Sequence, residues 1–71
     1  MLYPRLQTLR NNAQLDQQAV ADAIKTSPSY YGQYERGVRD IPFSRIIKLA
    51  DFYGVSIDYI AGRTDNPERA K

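Results

Sequence analysis

The chain has 71 residues, ten Lys or Arg against eight Asp or Glu, and neither cysteine nor histidine. That length suits one small domain, and the missing cysteines exclude disulfides and thiolate metal sites, so stability must come from helix packing. A formal charge of +2 permits nucleic-acid binding without arguing for it.

The first predicted helix covers about Pro4 to Asn12. Proline suits the first helical position, where its missing N–H has no partner to lose. Leu2, Leu6, Leu9 and Ala13 recur at helical spacing. The second runs from about Gln17 to Ile24, with Asp16 as N-cap and negative charge at its positive end. Val20, Ala21 and Ile24 form its apolar face, and Leu15 packs ahead of the cap. Lys25 and Thr26 make a tight turn. The third helix follows from Pro28 to Arg36, capped by Ser27 and stopped by Gly37, with Tyr31 and Tyr34 pointing inward.

After Val38-Arg39-Asp40-Ile41, Pro42 marks the start of a fourth helix. Phe43, Ile46, Ile47, Ala50 and Tyr53 give it the strongest helical periodicity in the chain, and Gly54 stops it. Ser56 caps a fifth helix over Ile57 to Ala61, ended by Gly62. Residues 63–71 are polar, contain Asn66-Pro67, and read as a loose tail. No strand pattern occurs. The prediction is an all-α domain of five short helices over residues 1–62. Its second and third helices form a helix-turn-helix, with the third held outward as a major-groove reader.

With the helices placed, the chain resembles the Cro/repressor-type helix-turn-helix family, also called xenobiotic-response-element-like. The resemblance rests on Leu9-Arg10, Leu15-Asp16-Gln17 with Val20-Ala21, and Ser27 with Tyr31, Tyr34-Glu35 and Gly37. It continues through Leu49-Ala50 and Gly54-Val55-Ser56-Ile57-Asp58-Tyr59. It covers roughly residues 5–62 and implies a compact, lambda-repressor-like five-helix fold. The closing run from Asp58 to Pro67 is similar to small repressors of phages and mobile elements in Gram-positive bacteria. Three departures stand out. Lys25 replaces the usual turn glycine and is strained if its φ is positive. Asp16 replaces Thr or Ser and would put a negative charge near phosphate. Gly32 stands inside the third helix at a site often occupied by a polar reader, and it costs roughly 1 kcal/mol against Ala.

The resemblance implies site roles. Gln33 takes a base-reading position, where its amide can match adenine N6 and N7; the plain alternative is a solvated glutamine. Ser29 and Tyr30 share its neighbourhood and are candidates for base or phosphate contact. Pro28 either meets a thymine methyl or simply starts the helix. Gly32, grouped with the base readers, either lets the backbone approach DNA or marks a site the operator does not use. Gln17 is expected to bond phosphate with side chain and backbone. Arg36, Arg39 and Arg45 stand around a loop that the resemblance places beside the DNA backbone, and Lys25 reaches out from the turn. Phosphate contact is expected of these four, against the alternative of solvated charges. Arg10 and Glu35 form a structural ion pair in the family pattern. Phe52, Ile57 and Tyr59 suggest a dimer surface.

The function so implied is a sequence-specific regulator, a repressor binding double-stranded DNA as a homodimer on a palindromic operator. A protein-interaction module on the same scaffold, such as an antitoxin or the partner of an anti-repressor, is the alternative, and a regulatory protein partner stays open. Catalysis and metal binding are not expected without His, Cys or a glycine-rich phosphate loop, and no cofactor is implied. No apolar run reaches membrane-spanning length and the start lacks a signal-peptide pattern, so the expected location is cytoplasmic without membrane contact.

Overall fold

A computed structural model describes residues 3–68. Five helices follow in order: α1 (Pro4–Asn12), α2 (Gln17–Ala23), α3 (Pro28–Arg36), α4 (Phe43–Tyr53) and α5 (Ile57–Ala61). No strand occurs among the described residues.

Local chemistry sets the boundaries. Asp16 Oδ1 accepts from the Ala19 N–H at 2.8 Å, Ser27 Oγ from Tyr30 N–H at 3.1 Å, and Ser56 Oγ from Tyr59 N–H at 3.0 Å. Each hydroxyl or carboxylate thus satisfies a backbone donor that its helix leaves open. Pro4 and Pro28 occupy first-turn positions of α1 and α3. Gly37 closes α3 at φ 74°, a left-handed conformation that a side chain would strain. Beyond it the chain doubles back, and the Val38 N–H donates to the Gln33 carbonyl at 3.0 Å.

The core gathers one stripe from each element. Leu6 comes from α1; Val20 and Ala21 from α2, with Ile24 at its C-cap. Tyr31 and Tyr34 come from α3, Ile46, Leu49 and Ala50 from α4, and Ile60 from α5. Ile41 and Val55 join from the loops. Helix α2 packs on α3, α4 on α5, and α1 bridges α3 and α5. The radius of gyration, 11.1 Å, is that of a folded chain of this length, about 11 Å.

Three sequence expectations change. On α4 the buried stripe is Ile46, Leu49 and Ala50 with half-buried Tyr53, whereas Phe43 is 63% and Ile47 39% exposed. Ile41, two residues ahead of the helix, is buried where a core-facing Phe43 was expected, and Ile47 lies a third of a turn round from Ile46. Helix α2 ends at Ala23, one residue short of expectation.

Residues 63–68, after α5, are not loose. Arg5 Nη1 donates to the Tyr59 carbonyl at 2.9 Å and to the Thr64 carbonyl, and Nη2 lies 2.6 Å from Asp65 Oδ1. The Ser56 N–H adds a 2.9 Å bond to the Pro67 carbonyl. A guanidinium with several donors gathers what the polar composition had suggested was free. Leu2 and residues 69–71, also part of the sequence reading, lie outside the described residues.

Candidate nucleic-acid interface

Helices α2 and α3 are joined by a turn centred on Lys25, whose φ is 59°. That is the conformation glycine would hold without strain, and lysine holds it here. The turn has outside support. Arg45 on α4 donates from Nη1 to the carbonyls of Ile24 and Lys25, at 3.1 and 3.2 Å. A cation on the last carbonyls of a helix also complements its dipole. Arg45 therefore serves the turn through Nη1. The Thr26 N–H donates to the Ala21 carbonyl at 2.9 Å and completes the reversal. Gln14 is a second non-glycine residue at positive φ, 58°, just before α2.

The two helices are locked from behind by charge. Arg10 Nε lies 2.7 Å from Glu35 Oε2, and Arg10 Nη2 donates to Glu35 Oε1 at 3.1 Å. Arg10 Nη1 also donates to the Leu15 carbonyl at 3.0 Å. Gln17 adds a longer bond, its Nε2 donating to Glu35 Oε1 at 3.3 Å. Burial alone would raise the Glu35 carboxyl. The Arg10 bond, with that of Gln17 beside it, outweighs this and holds it below the ordinary carboxylate range. Arg10 is raised in turn, chiefly by its bond to Glu35. Burial, with the Glu35 charge beside it, pushes the Tyr31 phenol up. Neither the Tyr31 nor the Tyr53 hydroxyl, both buried, finds a partner at hydrogen-bonding geometry.

Outward from this lock, α3 presents Pro28, Ser29 and Tyr30 exposed and Gln33 half-buried. Gly32 differs from the others in the expected base-reading set: it is buried. A Cβ there would lie 3.2 Å from Gln17 Oε1 and 3.2 Å from Arg36 Nη1. The missing side chain leaves room for Gln17 to cross α3 toward Glu35. It is a packing position under Gln17, not part of the open face.

Arg36 and Arg39 are exposed. Arg39 turns back onto α3: its Nε donates to Gln33 Oε1 at 3.1 Å and its guanidinium lies 4.5 Å from the Tyr30 ring centroid. The sequence reading did not connect these three residues. The available signal was the three-residue spacing of Tyr30 and Gln33, followed by a glycine that reverses the chain before Arg39. Of the suggested dimer residues, Phe52 is 43% exposed. Ile57 and Tyr59 pack against the core, and the Arg5 guanidinium lies 4.1 Å from the Tyr59 ring centroid.

A shallow groove of about 390 Å³ lies between α2 and α4, lined by Ala23, Lys25, Lys48, Asp51 and Phe52. Among the described residues no group of three His, Cys, Asp or Glu is placed to hold a metal, and no helix is long and apolar enough to cross a membrane.

Five helices, a capped turn and an outward third helix define a helix-turn-helix domain. The Helix-turn-helix family model matches residues 6–60, and the chain belongs to that family, in its Cro/repressor-type branch. It is 38% identical over 68 residues to the uncharacterized HTH-type transcriptional regulator YobD of Bacillus subtilis, covering 96% of this chain and 61% of that protein. It is 31% identical over 61 residues to the HTH-type transcriptional regulator ImmR of the same organism, covering 86% of this chain and 48% of that protein. The same identity and length relate it to the HTH-type transcriptional regulator RamB of Mycobacterium tuberculosis, of which it spans 13%. The chain thus spans about three fifths or less of the relatives it matches. No solved structure matches it at a comparable level.

Proposed function

We propose that this domain binds DNA and regulates transcription, acting as a repressor that reads a palindromic operator as a homodimer. The observation that carries this is the exposed edge of α3. Ser29 and Tyr30 are exposed and Gln33 is half-exposed, while Tyr31, Tyr34 and Glu35 on the same helix are buried. Reading and bracing are divided between two faces of one helix, as a helix entering a major groove requires.

In this proposal Ser29, Gln33 and Tyr30 meet base edges, and Pro28 starts the helix beside them. Gln17, Lys25 and Arg36 meet phosphates and fix the docking without reading sequence. Two copies would pair through the C-terminal part of α4, where Phe52 is apolar and 43% exposed.

Selection of bound duplexes from a random pool tests the proposal, followed by footprinting of the enriched sequence. A two-fold-related pair of half-sites about one helical turn apart is the expected result. Affinity should fall steeply with salt. A pool that stays random after selection would remove the proposal. It would leave the scaffold to protein partners, for which Val38 and Phe43, 70% and 63% exposed, are the apolar candidates.

A further inference from the structure

Arg39 is tied to Gln33 at two points. Its N–H faces the Gln33 carbonyl at 3.4 Å, and its Nε donates to Gln33 Oε1 at 3.1 Å. Stacking over Tyr30, at 4.5 Å, holds the guanidinium along the exposed face of α3. Moving it away to a phosphate would give up the hydrogen bond and the ring contact together.

This contact fixes which end of the Gln33 amide looks outward. An arginine has five donors and no acceptor, so it can meet only the amide oxygen. The amino end of Gln33 is then the end left for a partner. An unrestrained glutamine offers one donor and one acceptor and suits adenine, which presents N6–H₂ and N7. With its oxygen engaged, Gln33 offers donors. The oxygen keeps a second lone pair, but an adenine amino group approaching it would come beside a guanidinium and be repelled. Guanine has two adjacent acceptors, O6 and N7, and both are favoured by donors and by nearby positive charge.

We infer that Arg39 is a specificity-determining residue: by holding the Gln33 side-chain amide oxygen on the α3 face, it turns Gln33 into a donor that selects guanine over adenine. The inference rests on the DNA-binding proposal above and names what one base-reading position prefers.

The test compares three forms of this chain, wild type, Gln33→Ala and Arg39→Met, in duplex selection at low salt. Operators differing only at the Gln33-dependent position then compete for each protein. Low salt keeps binding measurable if the lost charge weakens it overall. Arg39 is exposed and outside the helices, and circular dichroism melting checks that the variants fold. Wild type should favour guanine at one position per half-site, and Gln33→Ala should lose that preference. Arg39→Met should move the guanine-to-adenine ratio there toward adenine by about tenfold, the scale of one good bidentate pair.

A phosphate-only role for Arg39 would lower affinity for both operators and leave the ratio fixed, which overturns the inference. So would adenine at the Gln33-dependent position of wild type, or no position that responds to Gln33→Ala. In each of these cases the enriched motif keeps the DNA-binding proposal standing. An unenriched wild-type pool removes both.

Discussion

Arg10 and Glu35 meet at two points, Nε to Oε2 at 2.7 Å and Nη2 to Oε1 at 3.1 Å, so α1 grips the C-terminal end of α3 through a forked ion pair. The side chains are only 14% and 5% exposed. Removing one partner leaves the other charge with little water to receive it, a loss of about 3–5 kcal/mol for a buried pair. Arg10→Met should therefore destabilise the domain by about 3 kcal/mol in urea unfolding. The double variant Arg10→Met with Glu35→Leu should recover a large part of that, because no charge is stranded. Equal stability of the single and double variants would contradict this account.

The same pair sets a pH dependence. Glu35 is held below its ordinary value of 4.5 in the folded chain, so the folded state binds its proton less readily than the unfolded state does. Its contribution is complete above 4.5 and fades as pH falls through that value and on through the lower folded one. Melting temperatures measured from pH 7 down to pH 2 should drop in that acid window. Glu35→Gln should show a shallower drop across the same range, since the group that loses its bond on protonation is gone. Parallel curves would mean that other carboxylates govern acid stability.

Lys25 and Arg45 make a different kind of pair. The first holds a left-handed backbone and the second bonds its carbonyl at 3.2 Å. A non-glycine residue in that conformation is strained by roughly 1 kcal/mol, part of which glycine gives back through its freer unfolded chain. Lys25→Gly should raise stability by about 0.5 kcal/mol. Arg45→Ala should lower it by about 1.5 kcal/mol, the scale of hydrogen bonds to a charged donor. Thermal unfolding of both variants checks the signs, and a stabilised Arg45→Ala would show that the turn does not depend on α4.

The fold was largely legible because its punctuation is local. Asp16, Ser27 and Ser56 cap where they stand, and Gly37, Gly54 and Gly62 end helices at positive φ. Periodicity predicted Val20, Ala21, Ile24, Tyr31 and Tyr34 as core. What escaped depends on distance in the chain. Arg5 reaches residues 59, 64 and 65, and Arg45 reaches 24 and 25. A long flexible cation carries no local sign of which carbonyl it will meet. Phe43 and Ile47 fit an apolar stripe on paper, but Ile41 and Leu49 are buried while they stay exposed. Gly32 was legible as an oddity, and its reason needed Gln17 lying across it.

That reason gives a last prediction in which stability and binding separate. Gly32→Ala adds helix propensity worth roughly 1 kcal/mol. The new methyl meets only the ends of two side chains, Gln17 Oε1 and Arg36 Nη1, both at 3.2 Å. Arg36 is exposed and can swing aside, whereas Gln17 moves by loosening its 3.3 Å bond to Glu35. Net stability should therefore rise by a few tenths to about 1 kcal/mol. If Gln17 positions a phosphate, its displacement should at the same time weaken binding to the selected operator several-fold, with base preference unchanged. Unfolding curves and salt-dependent titrations of the one variant give both readings. A variant that is more stable and binds as tightly as wild type would show that the Gln17 side chain bears on α3 alone and takes no part in docking.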